Sequence, residues 1–243
     1  MPANRLQIAV AEFIGTFSLV FIGVLSLSAI PIVGGTGPES VVAVAFAHGL
    51  SLVVMIAALG AISGGHFNPA VTFGFLITGR MDPLTAVIYW VSQLAAATAA
   101  SGLLMAMAGV NSVVRGAPGL AENVGVGMGL VLEAICTFFL VLVVFGTAVD
   151  ERAPKSVYPV AIGLTVTMGI LAIGPITGAA LNPARAFGPA IVVGEFTRHW
   201  IYWAGPMVGG ALGALVQHTL LMRRAPSLEV AEHGGPAPSE KRR

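Results

Sequence analysis

Two copies of Asn-Pro-Ala, at Asn68-Pro69-Ala70 and Asn182-Pro183-Ala184, stand out among the residues able to do chemistry, because the chain has five asparagines and two of them open the same triplet. Asparagine is among the best helix N-caps, and proline suits the first helical position, where its missing N–H would have been unbonded anyway. In that role the amide oxygen holds backbone N–H groups, and the amide N–H groups are left to donate at the positive end of a helix. A facing pair of such starts would orient a small neutral molecule through its acceptor atom and repel a cation. Arg185 follows Asn182 by three residues and is the one Lys or Arg inside an apolar element away from its ends. An unpaired guanidinium in lipid is costly, so it must face a lumen or the protein interior. Glu12 and Glu133 are carboxylates in apolar runs with two readings: a proton pathway, or acceptors for loop N–H groups that lipid cannot satisfy. The chain has no His-Glu-x-x-His, no nucleophile elbow and no phosphate loop, so the sequence points to no catalytic residue, no metal site and no cofactor.

The elements that must position these residues are set by composition. Of 243 residues 56% are hydrophobic and 9% charged, with a mean hydropathy of +0.89. A soluble domain carries about 25% charged residues, so the chain reads as one integral membrane domain with the lipid bilayer as its partner. A net charge of +1 and no basic stripe leave no footprint for nucleic acid. Cys136, the single cysteine, cannot form an intrachain disulfide and reads as an inert buried thiol. The apolar run behind Arg5 continues to about Ile30, longer than the roughly 7 to 15 residues of a signal-peptide core, and is kept as a first span. Further spans lie near 40–61, 84–108, 124–148, 157–174 and 199–222, each long enough for a hydrocarbon core of roughly 30 Å. Two shorter segments, Phe67 to Ile77 and Leu181 to Val193, would be about 16 to 20 Å long as helices and cannot cross alone. Each contains an Asn-Pro-Ala start, and both read as re-entrant half-helices. The loops before them, Ser63 to Phe67 and Thr177 to Ala180, would line a wet lumen, because irregular backbone at membrane depth survives only in such a place or inside protein.

The two halves repeat. Glu-Phe-Ile-Gly-Thr-Phe at 12–17 returns as Glu-Ala-Ile-Cys-Thr-Phe at 133–138, Gly49-Leu50 as Gly163-Leu164, and Asn68-Pro69-Ala70 as Asn182-Pro183-Ala184. Each repeat holds three spans, an odd number, so the second copy is inverted and the half-helices dip in from opposite faces to meet near the midplane. The domain reading is a channel unit over 1–224, with repeat one about 6–108 and repeat two about 124–222, followed by a disordered cytoplasmic tail over 225–243 rich in Pro, Gly and charge. A cytoplasmic N-terminus puts Arg5, Arg80, Arg152, Lys155, Arg223, Arg224, Lys241, Arg242 and Arg243 inside, and Arg115 and Arg198 outside, which satisfies the positive-inside rule. The expectation is a multi-pass protein of a cell membrane with both termini cytoplasmic.

The motifs Ala-Glu-Phe-Ile-Gly-Thr, Ser-Gly-Gly-His-Phe-Asn-Pro-Ala-Val-Thr and Asn-Pro-Ala-Arg-Ala-Phe-Gly-Pro make the chain resemble the aquaporin, or major intrinsic protein, family over all but its tail. The resemblance implies an all-α membrane fold: a right-handed bundle of six tilted helices with two half-helices, one pore per subunit and a homotetramer. It also implies a passive channel in which Asn68 and Asn182 donate to a passing water and break the hydrogen-bonded wire a proton would need. By the same resemblance the outer constriction is formed by His48, Ile170, Ala179 and Arg185. Orthodox water channels carry Phe and His at the first two places. The set His, Ile, Ala and Arg is similar to some plant vacuolar members, which pass water and in several cases ammonia or urea. His48 has a second reading, as a core histidine bonded within the bundle.

Gly64, Gly65, His66 and Gly178 would offer a ladder of backbone carbonyls, and Glu12 and Glu133 would anchor the loops. The loop over 109–123 contains no His or aromatic residue able to reach the filter. The functional expectation is a channel for water and small neutral solutes such as ammonia, closed to protons and ions, with urea and hydrogen peroxide left open. A glycerol facilitator is the runner-up, but glycerol members follow Asn-Pro-Ala-Arg with Asp where this chain has Ala186 and Phe187, and Tyr202-Trp203 matches the water-channel side. A proton-coupled transporter using Glu12, Glu133 and His48 is the third reading, and Gly209, Gly210 and Gly213 are assigned to helix contact.

Overall fold

A computed structural model describes residues 4–32 and 37–222, and the regular structure of these residues is helical throughout. The tail over 225–243, with Arg223 and Arg224 before it, lies outside the described residues. The first repeat contains α1 (Arg5–Ile32), α2 (Pro38–Ser63), the half-helix α3 (Pro69–Ile77) and α4 (Pro83–Ala108). A five-residue helix, α5 (Val110–Val114), follows in the connection, where the sequence suggests only a loop. The second repeat contains α6 (Val126–Val144), α7 (Tyr158–Thr177), the half-helix α8 (Pro183–Val193) and α9 (Ile201–Leu215). Both α6 and α9 run on into a π-helical turn, Phe145–Val149 and Val216–Leu221, and these two turns touch.

Five of the helices are long and apolar enough to cross a membrane by themselves: α1, α2, α4, α6 and α7. The sixth span is built differently. Its α-helical part has 15 residues and the π-helical turn adds six, which together reach roughly 31 Å at about 1.5 Å per residue. Helix α7 extends past Gly174-Pro175 to Thr177, three residues beyond the sequence reading. Pro175 is carried inside the helix, and the stop comes at Gly178, whose left-handed backbone (φ 82°) bonds back to Gly174 O. Helix α2 stops in the same way at Gly64, with φ 81° and a bond to Gly60 O.

Packing follows the repeat. Helix α1 lies on α2 and α4 as α6 lies on α7 and α9, and α2 meets α7 between the halves. That central crossing is close because Gly49 and Gly163 face each other: a Cβ at Gly163 would overlap Gly49 O. The half-helices are exchanged, since α3 packs on α9 of the other repeat and α8 on α4. A Cβ at Gly209 would overlap Ala134 O and one at Gly213 would meet Phe138 O at 2.5 Å, so these glycines bring α9 against α6, while Gly210 backs onto Ala70 O. Large apolar side chains such as Val54, Val91, Met107 and Leu212 point outward, which suits acyl chains and not water. Cys136 is a buried free thiol.

Candidate functional site

The two half-helices start where the sequence places them. Asn68 and Asn182 are extended N-caps: Asn68 Oδ1 accepts from Ala70 N at 2.9 Å, and Asn182 Oδ1 accepts from Ala184 N at 3.0 Å and Arg185 N at 3.2 Å. Each amide also reaches across the repeat boundary. Asn68 Nδ2 donates to Leu181 O at 2.9 Å, and Asn182 Nδ2 donates to Phe67 O at 2.8 Å. One N–H of each amide is thereby committed to the opposite loop, a tie the sequence did not suggest, and one N–H of each is left to donate. Pro69, Ala70, Pro183 and Ala184 form the buried first turns behind the caps and border neither of the two cavities described below.

Each loop is suspended from a carboxylate. Glu12 Oε1 accepts from Ser63 Oγ at 2.7 Å and His66 N at 3.0 Å, and Oε2 from Phe67 N at 2.7 Å and Gln93 Nε2 at 2.8 Å. Glu133 repeats the pattern, with Oε1 accepting from Thr177 Oγ1 at 2.7 Å and Ala180 N at 3.0 Å and Oε2 from Leu181 N at 2.8 Å. Both carboxylates are fully buried and neither borders either of these two cavities. Two tyrosines complete the symmetry: Tyr89 Oη donates to Ser63 O and Tyr202 Oη to Thr177 O. The loops bend alike, with positive φ at Gly64, Gly65 and Phe67 in the first and at Gly178, Ala179 and Leu181 in the second. Ala179, at φ 45°, stands where the first loop has glycine, a conformation that costs an L-residue about 1 kcal/mol or more. The turn leaves the carbonyls of Gly64, Gly65 and His66, and of Gly178, Ala179 and Ala180, without a protein donor among the described residues. The His66 ring is held by Thr72 Oγ1 at 3.1 Å and lies between Phe75 and Tyr89.

An inner cavity of about 30 Å³ is bordered by these loops, by Asn68 and Asn182, and on its other side by apolar residues including Leu19, Ile56, Leu140 and Val166. A wider cavity of about 670 Å³ opens beyond it, bordered by residues 115–121 and by Gly178. Three residues, His48, Ile170 and Arg185, border both and therefore mark the neck between them, with Ala179 on the inner side. His48 Nδ1 lies 2.9 Å from Val44 O. A carbonyl only accepts, so Nδ1 carries the proton and Nε2, which has no protein partner, is the acceptor of the neutral ring. Arg185 Nη1 donates to Gly116 O at 2.7 Å, and its Nε has no protein partner. The 109–123 connection thus reaches the neck through a backbone carbonyl and not a side chain.

The model of the family described as "Major intrinsic protein" matches residues 2–217. The chain belongs to the major intrinsic protein family. It is 44% identical to a probable aquaporin TIP2-2 of Oryza sativa subsp. japonica, over 90% of this chain and 89% of that one. It is also 41% identical to aquaporin TIP2-1 of Arabidopsis thaliana, over 89% of this chain and 88% of that one. The X-ray structure of the aquaglyceroporin from Plasmodium falciparum shares the fold, with a TM-score of 0.77 at 23% identity, covering 90% of this chain and 97% of that one. This major intrinsic protein is accordingly a multi-pass membrane protein with the aquaporin fold. Three contributors to its site were missed from sequence: Gln93, which joins Glu12 to Thr72, the paired Tyr89 and Tyr202, and Gly116 O. The tyrosines recur at nearly the offset of the Asn-Pro-Ala repeat, a signal that was there to be read; a carbonyl leaves none.

Proposed function

We propose that the chain is a passive, uncoupled channel for water and small neutral solutes, ammonia among them, that excludes protons and ions. The observation carrying this reading is the pair of capped half-helices set tip to tip across the inner cavity, each amide tied to the other loop. A water reaching this point accepts from the uncommitted amide N–H groups and cannot donate along the file. As is general for aquaporin-type pores, the break in the wire and the positive half-helix ends keep protons and cations out. Elsewhere the free carbonyls of Gly64, Gly65, His66 and Gly178 accept from the file while the apolar wall opposite offers no competing partner. His48, Ile170, Ala179 and Arg185 form the filter at the neck, and Glu12 and Glu133 anchor the loops. Burial of both carboxylates away from the cavities favours anchoring over a proton pathway. The water-channel reading draws further support from relatives named aquaporins.

In this reading repeats one (about 6–108) and two (about 124–222) share one channel unit, four subunits assemble as a homotetramer, and both termini are cytoplasmic in a cell membrane. The contacts of Arg80 with His218 and of Arg152 with Leu221 O gather those cations at one mouth beside the end of the last span, which supports the orientation. An osmotic step on proteoliposomes tests the proposal. Water flux should be fast, weakly temperature-dependent and indifferent to a proton gradient; flux at the bare-lipid rate, or flux that needs the gradient, refutes it.

A further inference from the structure

The filter assigned above contains one ring, and the surface behind that ring has no side chain. His48 stands on α2 with its Nδ1–H bound to Val44 O, which fixes the plane of the imidazole. On α1, a Cβ at Gly23 would overlap Nε2, Cδ2 and Cε1 of that ring. The imidazole therefore fills the volume that a side chain at 23 would take, and its unpaired Nε2 lies on the α1 side.

The second repeat lacks this device. The offset relating Glu12 to Glu133 carries Gly23 to Val144, and the offset relating Gly49 to Gly163 carries His48 to Ile162. Val144 and Ile162 both border the inner cavity. Two branched aliphatics, Val144 on the first helix and Ile162 on the second, thus stand in one repeat where the other pairs a glycine with a ring. A glycine on the first helix also seats a ring of the loop in this repeat: a Cβ at Gly15 would overlap the Phe67 ring, whereas repeat two has Cys136 and the smaller Leu181 at the corresponding places.

We infer that Gly23 is a specificity-determining positioning residue: by lacking a side chain it lets the His48 ring lie back against α1, and so sets how wide the neck opens between His48 and Arg185. The inference rests on the channel reading and on His48 belonging to the filter. A methyl group at 23 meets a ring whose bond to Val44 O prevents it from swinging along α2, so the ring is driven toward the lumen. Alanine is otherwise better than glycine inside a helix, which makes a loss on Gly23→Ala traceable to this contact.

The test is a cycle of Gly23→Ala, His48→Ala and the double variant in proteoliposomes, reading water, ammonia and urea flux per assembled channel. Gly23→Ala should lower the ammonia-to-water and urea-to-water ratios, by roughly tenfold where the added barrier is near 1.4 kcal/mol. The double variant should behave as His48→Ala alone, because without the ring there is nothing to displace. If Gly23→Ala fails to assemble while the double variant assembles, the ring contact is supported by rescue. Unchanged solute ratios in Gly23→Ala, or a double variant that keeps the defect or also fails to assemble, overturn the inference and leave the channel reading standing. A parent that passes no water above the bare-lipid rate removes the channel reading and this inference with it.

Discussion

Replacing Glu133 by Gln exchanges one of two acceptor oxygens for a donor, and the hydrogen bonds fix what that costs. With the remaining oxygen at the Oε1 position, Thr177 Oγ1 and Ala180 N keep a partner, now a neutral one. Leu181 N–H, which donates 2.8 Å to Oε2, then faces an NH₂ group. A buried unsatisfied donor costs about 1–3 kcal/mol, and the loss of charge assistance in the two surviving bonds adds about 1 kcal/mol each. Glu133→Gln should therefore cost roughly 3–5 kcal/mol, against a total stability of about 5–15 kcal/mol for a typical domain. Glu12→Gln is the matching change in the other loop. Gln93 Nε2 faces Glu12 Oε2, and Gln93 Oε1 has no protein partner. Turning that amide over gives the new NH₂ group an acceptor but gives up the Gln93 Nε2 bond to Thr72 Oγ1 at 3.2 Å. Phe67 N–H is left facing the NH₂ group as Leu181 N–H is in the other loop, so Glu12→Gln should cost about as much as Glu133→Gln. Thermal loss of the monodisperse peak in detergent should come earlier for both variants than for the parent, and flux per surviving channel should stay near the parent's. A Glu133→Gln protein with the parent's thermal midpoint, or one that assembles normally and loses only proton-coupled uptake, would refute the anchoring argument.

Two further outcomes follow from the neck and from the loop after α6. His48→Phe combined with Ile170→His should narrow the filter and cut ammonia flux about tenfold more than water flux; an unchanged ammonia-to-water ratio in proteoliposomes refutes the four-residue filter. The Arg152 side chain and its backbone N–H hold the Asp150 carboxyl down to about 2, below its ordinary value near 4. A depressed carboxylate stabilises above the ordinary value and loses that contribution as pH falls through the lowered one, so hydrogen exchange at 151–157, corrected for intrinsic rates, should rise as pH drops from about 4 to about 2. Asp150→Asn should show no such step, and an identical step in both proteins excludes the Asp150–Arg152 pair as its source.

What could be read from sequence and what could not divide along a physical line. Asn-Pro-Ala was legible because capping and the first helical position both demand particular residue types, and the spans were legible because hydrocarbon demands length and apolarity. Gly116 O was not, since every residue carries a carbonyl and only the path of the connection decides which one meets Arg185. The π-helical ends of α6 and α9 were not, since π turns have no composition of their own, and they explain why the last span looked continuous to 222 while its α-helical part stops at Leu215. Gln93 falls between these cases. A polar side chain in an apolar span signals a buried partner, and the repeat could have supplied the contrast: at nearly the Asn-Pro-Ala offset the second half has Pro206, and Glu133 has no amide beside it. The inverted repeat supplies two anchored loops from one pattern, and the functional differences between the mouths have to come from such departures. A departure is visible in sequence when a residue type changes, but its consequence depends on what stands opposite, and that only the packing supplies.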